Sequence, residues 1–225
     1  MAKAEFVRGM FNDISHKYDL LNDVLSVGTH RLWKKHFVNL VLKNKPQSAL
    51  DCATGTGDIA FELKKHISGE VVGIDFSEGM IDHAQAREKA SPQKVTFKVA
   101  DIMKLPFGDK TFDVATISFG IRNVEDLSLG LSELGRVAKA VYILEFGQPK
   151  NKILAASYFG MLRIYVPVFG LISKRKDAYE YLIASSEKFP SDEKFLEVFK
   201  ANTNFKTYQS IPVFGGIAYI YYGTN

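Results

Sequence analysis

A chain of 225 residues, 46% hydrophobic and 24% charged, has the composition of a folded globular protein that is long enough for one α/β domain and short for two. Its net charge of +4 comes from scattered lysines and arginines, so we expect no nucleic-acid partner. A single cysteine, Cys52, excludes an internal disulfide and favours a reducing compartment. We therefore expect one domain over residues 1–225, located in the cytoplasm.

The N-terminal segment is predicted to be helical, because apolar residues recur at helical spacing on both sides of a polar stretch over residues 18–33. We interpret residues 1–45 as a helical cap on the domain. No secretory signal is present, and the longest apolar run, 158–172, is shorter than the roughly 20 residues of a membrane-spanning helix. We expect no spanning segment, while a peripheral contact with the inner face of a membrane stays open.

Strand-like and helix-like segments alternate from residue 48 onward, which predicts parallel strands joined by right-handed crossovers. Predicted strands cover about 48–52, 70–74, 95–99, 112–117 and 141–145, with helices over about 58–66, 77–90 and 126–137. A helical insertion over 150–200 follows, and strands at 205–211 and 217–222 predict a closing antiparallel hairpin. The pattern predicts a Rossmann-like α/β fold with a seven-stranded, mostly parallel sheet and helices on both faces.

A glycine turn follows the first predicted strand, and Gly55 and Gly57 would let a ligand approach the backbone closely. Asp75 ends the second strand, where a carboxylate can accept hydrogen bonds from ribose hydroxyls. Strand, glycine turn, helix, strand and carboxylate form the half-site for an adenosine cofactor. Residues 55–60 also fit the pattern G-x-G-x-x-A, so the turn alone leaves a dinucleotide and S-adenosylmethionine both open.

Three features favour S-adenosylmethionine. Asp51, four residues before Gly55, suits an ammonium-bearing tail and does not suit a pyrophosphate. Asp101 ends the third strand and can accept from an adenine amine. The closing hairpin also differs from the parallel second half of a dinucleotide-binding sheet. An NAD-dependent oxidoreductase is the alternative, and a non-catalytic binding subunit is a third possibility.

Three further blocks of sequence are similar to a known family. They are Tyr18–Ser26 with His30 and Trp33, Leu105–Phe107 with Ile117–Val124, and Arg136–Lys139 with Ile143–Phe146. On these blocks nearly the whole chain resembles the ubiquinone/menaquinone biosynthesis C-methyltransferases, the UbiE/MenG family of class I S-adenosylmethionine-dependent enzymes. The resemblance implies methylation of a polyprenyl quinol, demethylmenaquinol to menaquinol, with a ubiquinone precursor or another small acceptor still open. The resemblance is also compatible with a homodimer.

The resemblance also implies which residues contact the cofactor, and no metal is expected. Those residues are Thr56, Asp75, Asp101, Ile102 and Ser118, and the predicted cofactor site is completed by Asp51, Gly55, Gly57 and Phe76.

The predicted acceptor site needs a base and an oxyanion donor, because a ring carbon is a poor nucleophile until the adjacent phenol is deprotonated or polarised. Arg122 and Asn123 follow the fourth strand and suit orientation and oxyanion stabilisation. Tyr18, Asp19 and His30 are candidates for the base or for holding a basic water. His30 could equally cap a helix and Tyr18 could equally belong to the core. The apolar run 158–172 is either helical core or a wall for the prenyl chain.

One departure from the family concerns the connection before the fifth strand. Family members have a Pro-Gly-Gly-type turn there, whereas Lys139 meets Ala140 directly in this chain. A reversal from helix to strand with almost no loop is unfavourable. This favours turn residues that are missing from the sequence over a true deletion, and the turn would lie away from the cofactor.

Overall fold

The computed structural model describes residues 9, 28–158, 160–161, 163, 181 and 184–225. Its helices are α1 (His30–Leu42), α2 (Asp58–Lys64), α3 (Glu78–Lys89), α4 (Leu127–Val137) and α5 (Glu193–Ala201), and residues 152–158 and 184–188 are also helical. Its strands are β1 (Ala49–Cys52), β2 (Val71–Asp75), β3 (Thr96–Val99), β4 (Phe112–Ser118), β5 (Ala138–Phe146), β6 (Thr207–Val213) and β7 (Ala218–Thr224). Tyr18, Asp19 and most of the predicted apolar wall lie outside the described residues. No helix in the described ranges is both long and apolar enough to cross a membrane.

The strands form one sheet in the order β3-β2-β1-β4-β5-β7-β6. β1 to β5 pair in parallel, and β7 pairs antiparallel with both β5 and β6. The predicted seven-stranded, mostly parallel sheet with a closing hairpin is confirmed. The strand order reverses between β1 and β4, so the carboxyl ends of these two strands form the crevice where doubly wound sheets bind ligands.

The central strands are buried on both faces, as expected for parallel strands covered by helices. Every residue of β1 and β2 is buried. Helix α1 packs its apolar stripe, which includes Trp33, Phe37 and Val41, into the core on one side of the sheet. Helix α3 begins where predicted, because the Ser77 hydroxyl accepts a hydrogen bond from the backbone N–H of Met80 at 3.2 Å. These contacts fix the helices against the strand ends.

The junction between α4 and β5 differs from the prediction. Strand β5 begins at Ala138, directly after α4 and three residues earlier than predicted. Ala138 adopts extended backbone angles and pairs with Phe112 of β4. The Lys110 ammonium donates to the carbonyl oxygens of Gly135 at 2.5 Å and Ala138 at 2.9 Å, which satisfies acceptors at the helix end. In the structure the direct connection is made by one residue that changes from helical to extended angles, and lysine caps the freed carbonyls.

A buried carboxylate, Asp51, joins β1 to its neighbours. Its side chain accepts from the Thr54 hydroxyl at 2.6 Å and from the Thr116 hydroxyl of β4 at 2.7 Å. The residue is 1% exposed. Burial raises the pKa of Asp51 from 3.8 to about 6, and the two hydroxyl hydrogen bonds oppose that rise. The carboxylate therefore ties the turn after β1 to β4 at a cost in stability when it ionises.

Asp51 should make the folded protein less stable as the pH rises from about 4 to about 7. Its pKa is higher in the folded state, so the folded state holds an extra proton below pH 6 and loses this advantage when the group ionises. Asp51→Asn keeps the shape and removes the charge. We therefore expect the variant to become more stable relative to wild type as the pH rises. In urea titrations, the unfolding free energy of the variant minus that of wild type should increase by about 2 kcal/mol between pH 4 and pH 7.5.

Asp113→Asn is the matched control. The ion pair with Lys139 and backbone N–H groups hold the pKa of Asp113 below its usual value. The stability that this carboxylate contributes is almost complete above pH 4, so the unfolding free energy of Asp113→Asn minus that of wild type should stay nearly constant between pH 4 and pH 7.5. A difference between Asp51→Asn and wild type that stays constant over this pH range would contradict the assignment.

Candidate active site

A cleft of about 840 Å³ lies at the carboxyl ends of β1, β2 and β4, with its mouth open to solvent. Its walls are mostly apolar. We call it the main cleft. Six of the predicted site residues line it, namely Gly55, Asp75, Phe76, Asp101, Ile102 and Asn123.

Asp75 is held at the inner end of the main cleft by two backbone N–H groups. Gly55 donates to its Oδ2 at 2.9 Å, and Ser77 donates to its Oδ1 at 3.0 Å. Gly55 has a φ of 56°, a left-handed angle that glycine adopts without strain. Burial raises the pKa of Asp75 to about 6, and these backbone hydrogen bonds oppose the rise. A carboxylate has about four lone-pair positions, so Asp75 can still accept from two ligand hydroxyls.

Gly57 does not face the main cleft. It has a φ of 91°, and a Cβ at this position would lie 2.7 Å from the Phe97 ring and 2.9 Å from the Phe61 ring. The role of Gly57 in close approach of a ligand stays a prediction. This glycine is required because α2 packs tightly against the two aromatic rings.

Asp101 lies exposed at the opposite side of the main cleft, just after β3. Its Oδ1 accepts from the backbone N–H of Met103 at 2.8 Å. This bond fixes the carboxylate while its other oxygen can still accept from a ligand. Ile102 and Met103 add apolar walls suited to a flat aromatic ring. Asp75 and Asp101 thus offer acceptors at two points along a mostly apolar cleft, which fits the sugar and the base of an adenosine.

Thr56 and Ser118 line a second, much smaller pocket, which we call the side pocket. It shares Ala53 and Phe119 with the main cleft, so the two cavities adjoin. Its remaining lining residues are Lys34, Thr54, Asp58 and Ile59.

Asp51 lines neither cavity. Both of its oxygens bind threonine hydroxyls beneath the turn. The predicted direct contact between Asp51 and a cofactor ammonium does not fit this placement, because the side chain supports the turn instead of facing the ligand.

Arg122 forms a buried ion pair that sequence reasoning missed. Its Nη1 donates to Oε1 of Glu145 at 2.6 Å and to the carbonyl oxygen of Phe119 at 2.7 Å. The side chains of Arg122 and Glu145 are 2% and 0% exposed. Burial raises the pKa of Glu145 and the arginine charge opposes the rise. Arg122 does not line the main cleft, and through these bonds it holds residues 119–123, while its role as a direct oxyanion donor stays a prediction.

The other predicted acceptor residues are placed differently. Asn123 lines the main cleft, and its Oδ1 accepts from the Tyr181 hydroxyl at 3.1 Å. Tyr181 was not predicted, and its partial burial raises the pKa of its hydroxyl. His30 is buried at the start of α1 and lines neither cavity. Asn123 thus lines the main cleft and is held there by Tyr181, whereas His30 does not line the cleft.

Known proteins are similar to this chain over almost its whole length. The model of the ubiE/COQ5 methyltransferase family matches residues 1–225. A relative from Bdellovibrio bacteriovorus, named ubiquinone/menaquinone biosynthesis C-methyltransferase UbiE, is 42% identical over 225 residues, which covers 98% of this chain and 96% of the relative. A relative of the same name from Geobacter sulfurreducens is 41% identical and covers 98% of this chain and 89% of its own.

Solved structures of methyltransferases also share the fold of this chain. A SAM-dependent methyltransferase from Aquifex aeolicus aligns with a TM-score of 0.60 at 19% identity, over 83% of this chain and 88% of that chain. The NAD-dependent alternative finds no support in these relatives. With a family match over every residue and relatives above 40% identity, the chain belongs to the ubiE/COQ5 methyltransferase family and uses S-adenosylmethionine.

Proposed function

We propose that this protein transfers a methyl group from S-adenosylmethionine to a ring carbon of a polyprenyl quinol, with demethylmenaquinol as the first candidate acceptor. The names of the relatives support the acceptor class. The observation that carries the donor half is Asp75, fixed by two backbone N–H groups in an open cleft at the point where the strand order reverses. The whole chain acts as one methyltransferase domain.

The residues of the main cleft bind and orient the donor. When bound, S-adenosylmethionine supplies a methyl group on a positively charged sulfur. Asp75 would accept from the ribose hydroxyls, and Asp101 with the Ile102 N–H would bind the adenine edge. Asp75 is buried between these apolar walls, which strengthens the hydrogen bonds that it accepts.

The acceptor lies at the end of the main cleft formed by Asn123. In the overall reaction the ring carbon gains the methyl group, the ring loses one proton, and S-adenosylhomocysteine leaves. Tyr181 donates to the Asn123 carbonyl oxygen, so the Asn123 amide N–H groups remain to donate to the phenol oxygen as it gains negative charge. The Arg122–Glu145 pair holds the turn that carries Asn123.

A lipid-tailed acceptor also suggests where the protein works. We infer a cytoplasmic protein that contacts a membrane peripherally through Ile153 and Phe214, whose side chains are 79% and 64% exposed. The segments that carry these two side chains lie against each other, because a Cβ built on Gly215 would lie 2.6 Å from the Leu154 side chain. A homodimer stays a prediction.

Purified protein should transfer the methyl group of isotope-labelled S-adenosylmethionine to demethylmenaquinol, as followed by mass spectrometry of the quinol. Asp75→Asn removes a charged acceptor for the ribose and should weaken S-adenosylhomocysteine binding roughly 10- to 100-fold in calorimetry. Asp113→Asn, at the opposite end of the sheet, should bind as wild type does. Binding of NAD without binding of S-adenosylhomocysteine would refute the function.

Variants of the buried Arg122–Glu145 ion pair should show its effect on stability separately from its effect on catalysis. Arg122→Met leaves Glu145 buried without its cation and should lower the free energy of unfolding by about 3–5 kcal/mol. Adding Glu145→Gln removes the uncompensated charge and should restore most of that loss. The double variant should still turn over slowly, because the turn that carries Asn123 has lost its anchor.

The readouts are urea unfolding, kcat for methyl transfer, and S-adenosylhomocysteine affinity. We expect kcat of the double variant to fall at least tenfold while cofactor affinity stays within about threefold of wild type. A double variant with wild-type kcat would show that the ion pair serves stability alone.

A further inference from the structure

Lys34 is the basic residue that lines the side pocket, and it comes from α1, outside the glycine turn. Its side chain is 13% exposed, whereas the adjacent Lys35 is exposed to solvent. Lys34 therefore lies against the pocket and not on the solvated face of the helix. Lysine side chains are seldom withdrawn from solvent, so the position of Lys34 calls for a functional explanation.

Lys34 has donors left over in the side pocket. Its ammonium donates to Asp58 at 3.0 Å, and Asp58 also pairs with Arg87 at 2.8 Å. Arg87 is also committed to the carbonyl oxygen and the hydroxyl of Thr56. The charge of Lys34 opposes the rise in the pKa of the buried Asp51 carboxylate, so the two cations face two carboxylates. Asp58 is the one described group to which Lys34 donates a hydrogen bond, and an ammonium has three donors, so Lys34 can still donate to an anion in the pocket.

The two cavities also differ in chemistry. The main cleft is mostly apolar, while the side pocket is lined by the hydroxyl-bearing residues Thr54, Thr56 and Ser118 together with charged groups. They adjoin at Ala53 and Phe119. A ligand with an adenosine at one end and an amino acid at the other would match this division of apolar and polar walls.

We propose that Lys34 binds the carboxylate of the amino-acid end of S-adenosylmethionine in the side pocket. The inference rests on the proposed function, because it takes the adenosine end to lie in the main cleft against Asp75. It makes Lys34 a positioning residue, which anchors the tail so that the sulfur is held near the junction of the two cavities. It also gives α1 a direct part in cofactor selection, since ligands without the amino-acid end would lose this contact.

Calorimetry with two ligands tests the proposal on the full chain, without a quinol. S-Adenosylhomocysteine carries the amino-acid end, and 5′-methylthioadenosine lacks it. Lys34→Met should weaken S-adenosylhomocysteine binding roughly 10- to 100-fold and leave methylthioadenosine binding within about twofold. Lys34→Arg should retain part of the affinity, and the control Lys35→Met should bind both ligands as wild type does. If Lys34→Met does not fold, Lys34→Gln takes its place in the comparison.

Two results would overturn the proposal. Unchanged S-adenosylhomocysteine affinity in Lys34→Met would show that the ammonium makes no contact with the ligand. Equal weakening of both ligands would show that Lys34 supports the fold through Asp58 and nothing more. Failure of wild type to bind S-adenosylhomocysteine at all would instead refute the proposed function, so the two failures can be told apart.

Discussion

The hydrogen bond from the Gly55 N–H to the Asp75 carboxylate is the contact on which the rest of the site depends. It joins the turn after β1 to the end of β2, next to the point between β1 and β4 where the strand order reverses. The left-handed angle at Gly55 aims this N–H at the carboxylate. Asp51 supports the same turn from beneath through threonine hydroxyls. These hydrogen bonds within the chain fix the turn and the Asp75 carboxylate, which lowers the entropy lost on binding.

Three carboxylates are buried near this edge of the sheet, and each is stabilised in a different way. Asp51 accepts from hydroxyls, Asp75 accepts from backbone N–H groups, and Glu145 pairs with Arg122. Each has a raised pKa because burial outweighs these partners. Burial of these three carboxylates lowers the stability of the fold, and the large apolar core on both faces of the sheet offsets that loss. Ligand binding to Asp75 would recover part of it.

The sequence was sufficient for the fold because strand and helix periodicities alternate without interruption, and most strand limits lie within two residues of those predicted. Strand β5 was predicted to start three residues late, since Ala138 and its neighbours carry no strand signal of their own and pair only in the folded sheet. At the site, Asp75 and Asp101 were predictable from their places at strand ends. The roles of Gly57 and Arg122 were not, because their partners Phe97 and Glu145 are distant in sequence. One indication of the ion pair was available in the sequence, because the acidic Glu145 ends the apolar run that predicts the fifth strand.

The structure of the protein bound to S-adenosylhomocysteine, determined by crystallography, tests the central claim most directly. The account predicts that the ribose hydroxyls lie within hydrogen-bonding distance of Asp75, with the adenine beside Asp101 and the amino-acid end in the side pocket. Adenosine bound elsewhere, or a tail directed away from the side pocket towards solvent, would contradict it.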